Sequence, residues 1–561
     1  MAKRRSVRTE QAIPFNYLDL FCGCGGFSLG LEAAGLNCVA AIDFDPDAIS
    51  AFKSNFPGVG HVLERDLTKF TPEALREIIG QAKVDIIVGG PPCQGFSKAR
   101  MVDGSNHGSR LVEDPRRLLF RNYLHYVEFF RPSIFVMENV PGIRTAAGGE
   151  FFIAVQAEAR KLGYRVHATP VRAWHYGIPQ KRERQLIIGT TCDLPIFSAE
   201  QYVAATHGDS TDSDGARKGP GRPRGLKKLV TLWDAIGDLP ILGAGEGEDS
   251  SPYDFRRRHL HVQRYGRNYL EDVAQVDRAV ELTGHVARSH SARDLRDFDR
   301  LHEGETSLQA IERGVEMEFP YDRENFKDRY TKQHRNRLCS TIVAHLSKDG
   351  LMFIHPTQRR SLTVREAARI QSFPDWFTFP KARTVAYRLI GNAVPPLLGK
   401  AIGRGLKRYL GTPLSDRELS PLPTTPKQAA EWLTAIVEGT GNGQRLRTLP
   451  LDDFKKAWFS IGFLNSWLHP DSASQNGGRV DEDVHQPAML ADLVPEIAAP
   501  IYASSGWPVR LIPIAREATR RFQQGKLRFD EYYCSHAQLM GWTWWKKQQG
   551  ETWQEGQKGT S

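Results

Sequence analysis

Few residues in this sequence could do chemistry, and each stands at the end of an apolar run. Cys93 lies in Gly89-Gly90-Pro91-Pro92-Cys93-Gln94-Gly95-Phe96-Ser97, directly after Asp85-Ile86-Ile87-Val88. That run has the length and β-branched content of a buried parallel strand. The prolines lack donors and restrict the residues before them, so the strand must stop at a stiff turn. Cys93 then sits just beyond the carboxyl end of a sheet strand, where open α/β sheets place their chemistry. A nucleophilic thiolate fits that position, and so does a small buried apolar thiol. Glu138 ends a second run, Ile134-Phe135-Val136-Met137. A carboxylate among apolar neighbours can be held protonated and act as an acid; a polar cap at a strand end, paired with Asn139, is the alternative. Arg182 and Arg184 are two residues apart, so in a strand they would share one face. Two guanidinium groups there suit a phosphate or a base carbonyl, or else form a solvated face.

A third constellation could hold a nucleotide. Asn16-Tyr17-Leu18-Asp19-Leu20-Phe21 reads as a first strand, Cys22-Gly23-Cys24-Gly25-Gly26 as a glycine turn, and Phe27 to Ala34 as the start of a helix. Glycines let backbone approach a ligand, and a helix N-terminus favours negative charge. The dinucleotide fingerprint needs a third glycine where Ser28 stands, which argues against NAD. A second strand, Val39 to Ile42, ends in Asp43-Phe44-Asp45. Asp43 follows Gly23 by twenty residues, the offset of an acid on ribose hydroxyls, and Phe44 could stack on a base. Asp66, before the helix start Thr71-Pro72-Glu73, could reach an exocyclic amine or be a turn residue.

Strands Tyr164 to His167 and Arg184 to Ile188 extend the α/β pattern. Leu119, Tyr123, Tyr126, Val127 and Phe130 repeat at helical spacing and predict a packed helix. Lys98 to Glu113 is polar and aperiodic and reads as a loop able to close over a substrate. The 561 residues, 40% hydrophobic, allow more than one domain. A net charge of +10 favours a polyanionic partner. Seven scattered cysteines without metal-type spacing predict free thiols, a reducing compartment and no metal site. No apolar run is long enough to span a bilayer, and the basic start lacks the apolar segment of a signal peptide.

Taken in order, these blocks resemble the cytosine-C5 DNA methyltransferase family. The motifs that carry the resemblance are Asp19-Leu20-Phe21-Cys22-Gly23-Cys24-Gly25-Gly26, Gly90-Pro91-Pro92-Cys93-Gln94, Glu138-Asn139-Val140 and Gln180-Lys181-Arg182-Glu183-Arg184. Two more follow late in the chain, Arg360 to Arg369 and Gly391-Asn392-Ala393-Val394-Pro395-Pro396. The resemblance implies a Rossmann-like, doubly wound, mostly parallel sheet that binds S-adenosylmethionine, interrupted by an inserted target-recognition domain. It implies that Cys93 adds to cytosine C6, that Glu138 holds N3 and the exocyclic amine, that Arg184 binds the base carbonyl and that Arg182 supports the Cys93 loop. A flipped-out base is required. The cofactor residues it implies are Phe21, Gly23, Gly25, Asp43, Phe44, Asp66, Pro91, Asn392 and Val394. Gln94 and Ser97 would touch the DNA backbone or fill the space that the flipped base vacates. Asp43 departs from the family, in which many relatives carry Glu.

The domain expectation is a basic tail over 1–15, a catalytic and cofactor-binding domain over 16–190, a target-recognition region over 191–358, a return to the catalytic domain over 359–410, a linker over 411–427 and an accessory helical domain over 428–561. Lys218 to Lys228 resembles an AT-hook, which would put Arg222 and Arg224 in a minor groove; a basic linker is the alternative. Arg256-Arg257-Arg258-His259 and Lys332 to Arg337 are basic clusters suited to phosphates. In the last region, Phe454, Trp458, Ile461, Leu464 and Leu468 mark an amphipathic helix, and Trp542-Thr543-Trp544-Trp545-Lys546-Lys547 reads as a small core or a nucleic-acid platform. The expected protein is a monomeric, cytoplasmic, nucleoid-associated bacterial enzyme acting on double-stranded DNA without membrane contact. A cognate restriction endonuclease would share its site. A tRNA cytosine-C5 methyltransferase and a catalytically inactive DNA-binding scaffold are the competing readings.

Overall fold

The computed structural model describes residues 15–92, 119–162, 164–191, 197, 199–208, 226–266, 268–276, 281–318, 330–348 and 350–411. Seven strands form one sheet in the order β3-β2-β1-β4-β5-β7-β6. They are β1 (Asn16–Leu20), β2 (Asn37–Asp43), β3 (His61–Glu64), β4 (Ile86–Gly89), β5 (Ile134–Asn139), β6 (Tyr164–Arg172) and β7 (Glu183–Thr191). The first five are parallel, and β7 runs antiparallel between β5 and β6. The chain builds outward from β1 to β3, then crosses to β4 on the other side of β1. That reversal opens a crevice beyond the carboxyl ends of β1 and β4, where ligands bind in open sheets.

The central parallel strands are largely apolar because both faces are covered. Tyr17, Ala41, Ile86, Val88, Ile134 and Val136 point into one core. Leu18, Leu20, Ala40, Ile42, Ile87, Phe135 and Met137 point into the other. The second core is closed by α3 (Pro72–Ile79), α4 (Leu119–Phe130) and α5 (Glu150–Lys161). Helix α3 starts as its sequence predicts, with Thr71 as N-cap and Pro72 in the first turn. Tyr123, Tyr126, Val127 and Phe130 of α4 are buried as the spacing predicts; Tyr123 also donates its hydroxyl to the carbonyls of Ile87 and Val136 at 2.9 and 3.1 Å.

The first core is closed by α1 (Gly26–Ala33), α2 (Pro46–Asn55) and helices from the far end of the chain. These comprise α6 (Leu232–Ile236), α10 (Val364–Ile370), α11 (Arg383–Asn392) and α12 (Pro396–Leu410); between α6 and α10 in the chain, α7 (Phe255–Tyr265), α8 (Ala292–Arg300) and α9 (Ser307–Glu312) pack into smaller clusters of their own. Leu398, Ile402, Leu406 and Tyr409 of α12 reach the same core as β1 and β4, so the return of the chain completes the sheet's cover. Helices α1 and α12 pack at backbone contact. A Cβ on Gly30 would lie 2.3 Å from the Pro396 carbonyl oxygen, and one on Gly399 would lie 2.8 Å from the Phe27 carbonyl oxygen.

The stretch expected as a separate inserted domain is only partly separate. Leu232, Ala235, Ile236, Leu239, Tyr269, Leu282, Cys339 and Ile342 belong to the same core as the sheet. A satellite cluster around Phe298, Leu301, Ala310, Tyr330, Leu351 and Ile354 stands apart. Between them runs α10, buried on every side although it carries two arginines, with Arg360 just before it. Arg360 is bidentate to Glu366 at 2.7 and 2.8 Å, and Glu366 with Thr363 forms the capping box of α10. Arg369 pairs with Asp375 at 2.5 and 2.8 Å and with Asp238 at 2.5 Å, while Arg365 donates to the carbonyls of Thr283, Pro374 and Phe377. The helix therefore joins the inserted stretch to the catalytic core through charge-assisted bonds.

Two outcomes follow from this packing. Gly30→Val places side-chain atoms where the Pro396 carbonyl stands, so it is expected to destabilise the protein by about 1–3 kcal/mol in urea unfolding. Gly58→Ala, at a position open to solvent, is the control and should stay within about 0.5 kcal/mol. Burial would raise the Asp375 carboxyl, but the Arg369 guanidinium overrides it and holds the group below its ordinary value. Stability from this pairing is present above the unfolded value and lost as pH falls through the lower folded one. Arg369→Met leaves the buried Asp375 with only the Arg365 guanidinium at 3.8 Å and the Tyr253 hydroxyl as partners, so its pKa rises and keeping it ionised costs more as pH rises. The variant should lose about 3–5 kcal/mol at pH 7 and less at pH 5, read by thermal unfolding at both.

Candidate active site

The carboxyl edge of the sheet collects the residues singled out for the cofactor. After β1 the backbone turns sharply at Phe21, whose φ of 61° is left-handed, a strained choice for an aromatic residue. The Cys22 N–H then donates to the Ile42 carbonyl at 3.0 Å, and the Gly23 N–H donates to Asp43 Oδ2 at 2.8 Å. Gly23 also has positive φ, and a Cβ there would meet nothing within 4 Å, so its outer face borders open space. Gly25 is the left-handed N-cap of α1. Ser28, which breaks the dinucleotide pattern, donates to buried Asp19 at 2.6 Å beneath the turn, and burial pushes the Asp19 carboxyl up to about 7.

Asp43 ends β2 and is not a helix cap; Asp45 caps α2 instead. Both Asp43 oxygens are engaged, Oδ2 by Gly23 and Oδ1 by the Asp45 N–H at 3.0 Å, yet each keeps a further lone pair for a ligand hydroxyl. Phe44 beside it is 65% exposed, an unusual state for a ring and a ready stacking surface. Asp66, beyond β3, accepts the Thr68 N–H at 2.9 Å and the Thr68 hydroxyl at 2.8 Å, and these bonds hold its carboxyl below the ordinary value. From the late part of the chain, Asn392 ends α11 exposed, and the Val394 carbonyl lies against Gly26, where a Cβ would come within 2.3 Å.

The turn that leads to Cys93 adjoins this cradle across the switch point. Strand β4 ends at Gly89, where any Cβ would strike the Leu20 carbonyl at 2.2 Å. Gly90, Pro91 and Pro92 follow; Cys93, Gln94 and Ser97 lie outside the described residues, as do Arg222, Arg224 and everything after Gly411. Glu138 at the end of β5 lies beside this turn, with Oε2 3.2 Å from the position of a Gly90 Cβ. Arg184 Nε approaches Glu138 Oε1 to 2.7 Å. The contact is an ion pair whose N–H is not aligned as a hydrogen bond, so that oxygen has no hydrogen-bond donor among the described residues. Both side chains are about nine-tenths buried.

Arg182 corrects the expectation of two guanidinium groups on one face. It precedes β7, is fully buried, and donates to the carbonyls of Ile342 at 2.8 Å, Gly391 at 3.2 Å and Ala393 at 2.9 Å. These bonds tie the start of β7 to the returning segment, whereas Arg184 pairs with Glu138. The basic cluster at Lys332 to Arg337 is likewise committed inward in part: Lys332 donates to the carbonyls of Phe298 and Leu301, and Arg335 pairs with Glu303. Arg257 donates to the Leu239 carbonyl, while Arg256 and His259 are exposed.

Several contributors carry no signal of their own in the sequence. Asn139 donates to the Pro91 carbonyl at 3.3 Å and so ties the Pro-Pro turn to β5. Gln180 donates to Gln371 and accepts the Ile342 N–H, and Gln371 in turn donates to the Ile390 and Ala393 carbonyls. Asn139 and Gln180 stood inside motifs read for their charged neighbours. No group of side chains able to hold a metal ion occurs among the described residues.

The arrangement offers an open glycine cradle with an acid and an exposed ring, next to a carboxylate–guanidinium pair on the turn that leads to Cys93. Comparison with known proteins agrees with that chemistry. The family model for C-5 cytosine-specific DNA methylase matches residues 15–408. The type II methyltransferase M.DdeI of Desulfomicrobium norvegicum is 33% identical, covering 70% of this chain and 89% of its own length. The type II methyltransferase M.AgeI of Thalassovita gelatinovora is 32% identical over 70% of this chain and 98% of its own. Among solved structures, a prophage-encoded DNA modification methyltransferase from E. coli superposes with a TM-score of 0.53 at 27% identity, covering 71% of this chain and all of that one. The chain belongs to the C-5 cytosine-specific DNA methylase family.

Proposed function

We propose that this DNA (cytosine-5-)-methyltransferase works through Cys93, with Glu138 and Arg184 holding a cytosine flipped out of duplex DNA. The observation that carries the reading is the Glu138–Arg184 pair set against Gly90, on the turn that delivers Cys93. A planar base entering there meets a carboxylate suited to N3 and the exocyclic amine, and a guanidinium suited to the carbonyl O2. Cytosine C5 is a poor nucleophile until the Cys93 thiolate adds to C6. Glu138 then shares or supplies a proton at N3 as charge develops, and C5 becomes enamine-like. Loss of the C5 proton after methyl transfer, with expulsion of the thiolate, restores the ring. None of these contacts can form within a stacked duplex, so the base leaves the helix at a cost of roughly a few kcal/mol.

S-adenosylmethionine, when bound, supplies an electrophilic methyl group on a sulfonium. The residues present fit that group. The open face of Gly23 admits a ligand against backbone, Asp43 has lone pairs for ribose hydroxyls, and Phe44 offers an uncovered ring to adenine. Phe21, Gly25, Asp66, Pro91, Asn392 and Val394 complete the proposed set. The partner is double-stranded DNA read by residues 191–358, with Gln94, Ser97, Arg222 and Arg224 as further proposed contacts. Similarity to type II methyltransferases supports a role as the protective half of a restriction–modification pair, with an endonuclease acting on the same site. We place the enzyme in the cytoplasm with the nucleoid, as a monomer. Among the described residues no helix is long and apolar enough to cross a membrane.

The decisive experiment is covalent trapping. With S-adenosylmethionine and duplexes containing 5-fluorocytosine, the enzyme should give a complex that survives denaturation, and Cys93→Ser should give none. An adduct on RNA alone would instead favour a tRNA substrate, and none on either would favour an inactive scaffold. Sequencing the trapped DNA reads the target site. Phe44→Ala removes an exposed ring, so the fold should be unchanged. Its S-adenosylmethionine dissociation constant by calorimetry should rise about 5- to 100-fold, the range of one base–aromatic stack.

A further inference from the structure

We infer that Arg388 is a positioning residue for the nucleoside end of the cofactor, clasping the Asp43–Phe44 loop to the returning helix; the inference rests on the cofactor reading above. Arg388 lies on α11, in the part of the chain that comes back after the inserted stretch. Its guanidinium spans two carboxylates at the start of α2. Nη1 bonds Asp45 Oδ2, and Nη2 lies 3.4 Å from Asp45 Oδ1 and 2.7 Å from Asp47 Oδ2.

Asp45 is the pivot. Its carboxylate also caps α2 by accepting the Asp47 N–H at 3.1 Å, and its own N–H donates to Asp43 Oδ1 at 3.0 Å. Asp43 in turn receives the Gly23 N–H at 2.8 Å. One continuous hydrogen-bonded path therefore joins α11, the start of α2, the ribose acid and the glycine cradle. Phe44 stands between Asp43 and Asp45, so the path fixes both neighbours of the exposed ring. Asn392 follows Arg388 by four residues, one turn along the same helix face, so the clasp also sets the register of the closing motif. Without the guanidinium, Asp43, Asp45 and Asp47 stand as three carboxylates on a five-residue stretch, and their repulsion opens the loop.

The test separates this role from a general structural one. Wild type, Arg388→Met, Arg388→Lys and Asp47→Asn are titrated with S-adenosylmethionine by calorimetry and assayed on duplex DNA. Arg388→Met should raise the dissociation constant and KM for S-adenosylmethionine about 5- to 10-fold, as expected for loss of one partly exposed ionic clasp. The kcat at saturating cofactor should change less than about two-fold, the signature of lost uniform binding. DNA affinity should not move. Arg388→Lys should recover part of the loss, because an ammonium keeps the charge but not the fork that spans two carboxylates. Asp47→Asn, at a half-exposed side chain, should shift binding in the same direction by less. If wild type binds S-adenosylmethionine and the Arg388 variants bind it equally well, the clasp is refuted while the cofactor reading stands. Equal losses in cofactor affinity, DNA affinity and kcat would also refute it. If wild type itself does not bind, the cofactor reading fails and the clasp falls with it.

Discussion

Everything at the active edge depends on a lock buried between two stretches of chain more than 150 residues apart. Arg182 and Gln180, just before β7, hold the backbone at Ile342, and Arg182 also holds Gly391 and Ala393. Gln371 completes the lock by bridging Gln180 to the Ile390 and Ala393 carbonyls. All three side chains are fully buried, so an unmade bond here leaves a desolvated polar group worth roughly 1–3 kcal/mol, more for the charged one. That penalty makes the geometry nearly all-or-none. The returning segment either seats Asn392 and Val394 over the glycine turn or the lock does not form.

The same economy of buried charge explains α10. A helix with two arginines would be expected on a surface, yet here it lies in the core, because Glu366, Asp375 and Asp238 are placed to meet Arg360 and Arg369. Such pairs add little net stability relative to apolar packing, but they punish any other arrangement severely. They suit a junction that must fix the angle between an inserted stretch and a catalytic sheet. Only part of the protein's excess positive charge is therefore available to a polyanion. Arg182, Arg360, Arg365 and Arg369 are consumed inside.

Local signals revealed the strand ends and their cargo. The β-branched run before Gly89, the Pro-Pro stop, the glycine turn after Phe21 and the Thr71-Pro72 helix start are short-range patterns whose physics lies within a few residues. Glu138 was legible because a carboxylate after Ile134-Phe135-Val136-Met137 has nowhere to go but the strand's end. What could not be read was partnership. Arg182 and Arg184 look alike in sequence, yet one turns into the core and the other meets Glu138, because β7 begins between them. Lys332 and Arg335 look like phosphate ligands until Phe298, Leu301 and Glu303 are brought beside them. Arg388 has no nearby residue in sequence to announce it, since its partners Asp45 and Asp47 come more than 300 residues earlier in the chain.

The contact between α1 and α12 has a consequence for how such a chain can be written. The two helices run alongside each other from Gly26 beside Val394, through Gly30 beside Lys400, to Gly35 beside Lys407. Helix α1 leads back from the catalytic edge, so α12 ends at the opposite edge, near where β1 begins. The first strand and the last helix of the described fold are thus spatial neighbours, and the site is indifferent to which of them the ribosome makes first. A gene opened elsewhere and joined at this seam would encode the same cradle in a permuted order.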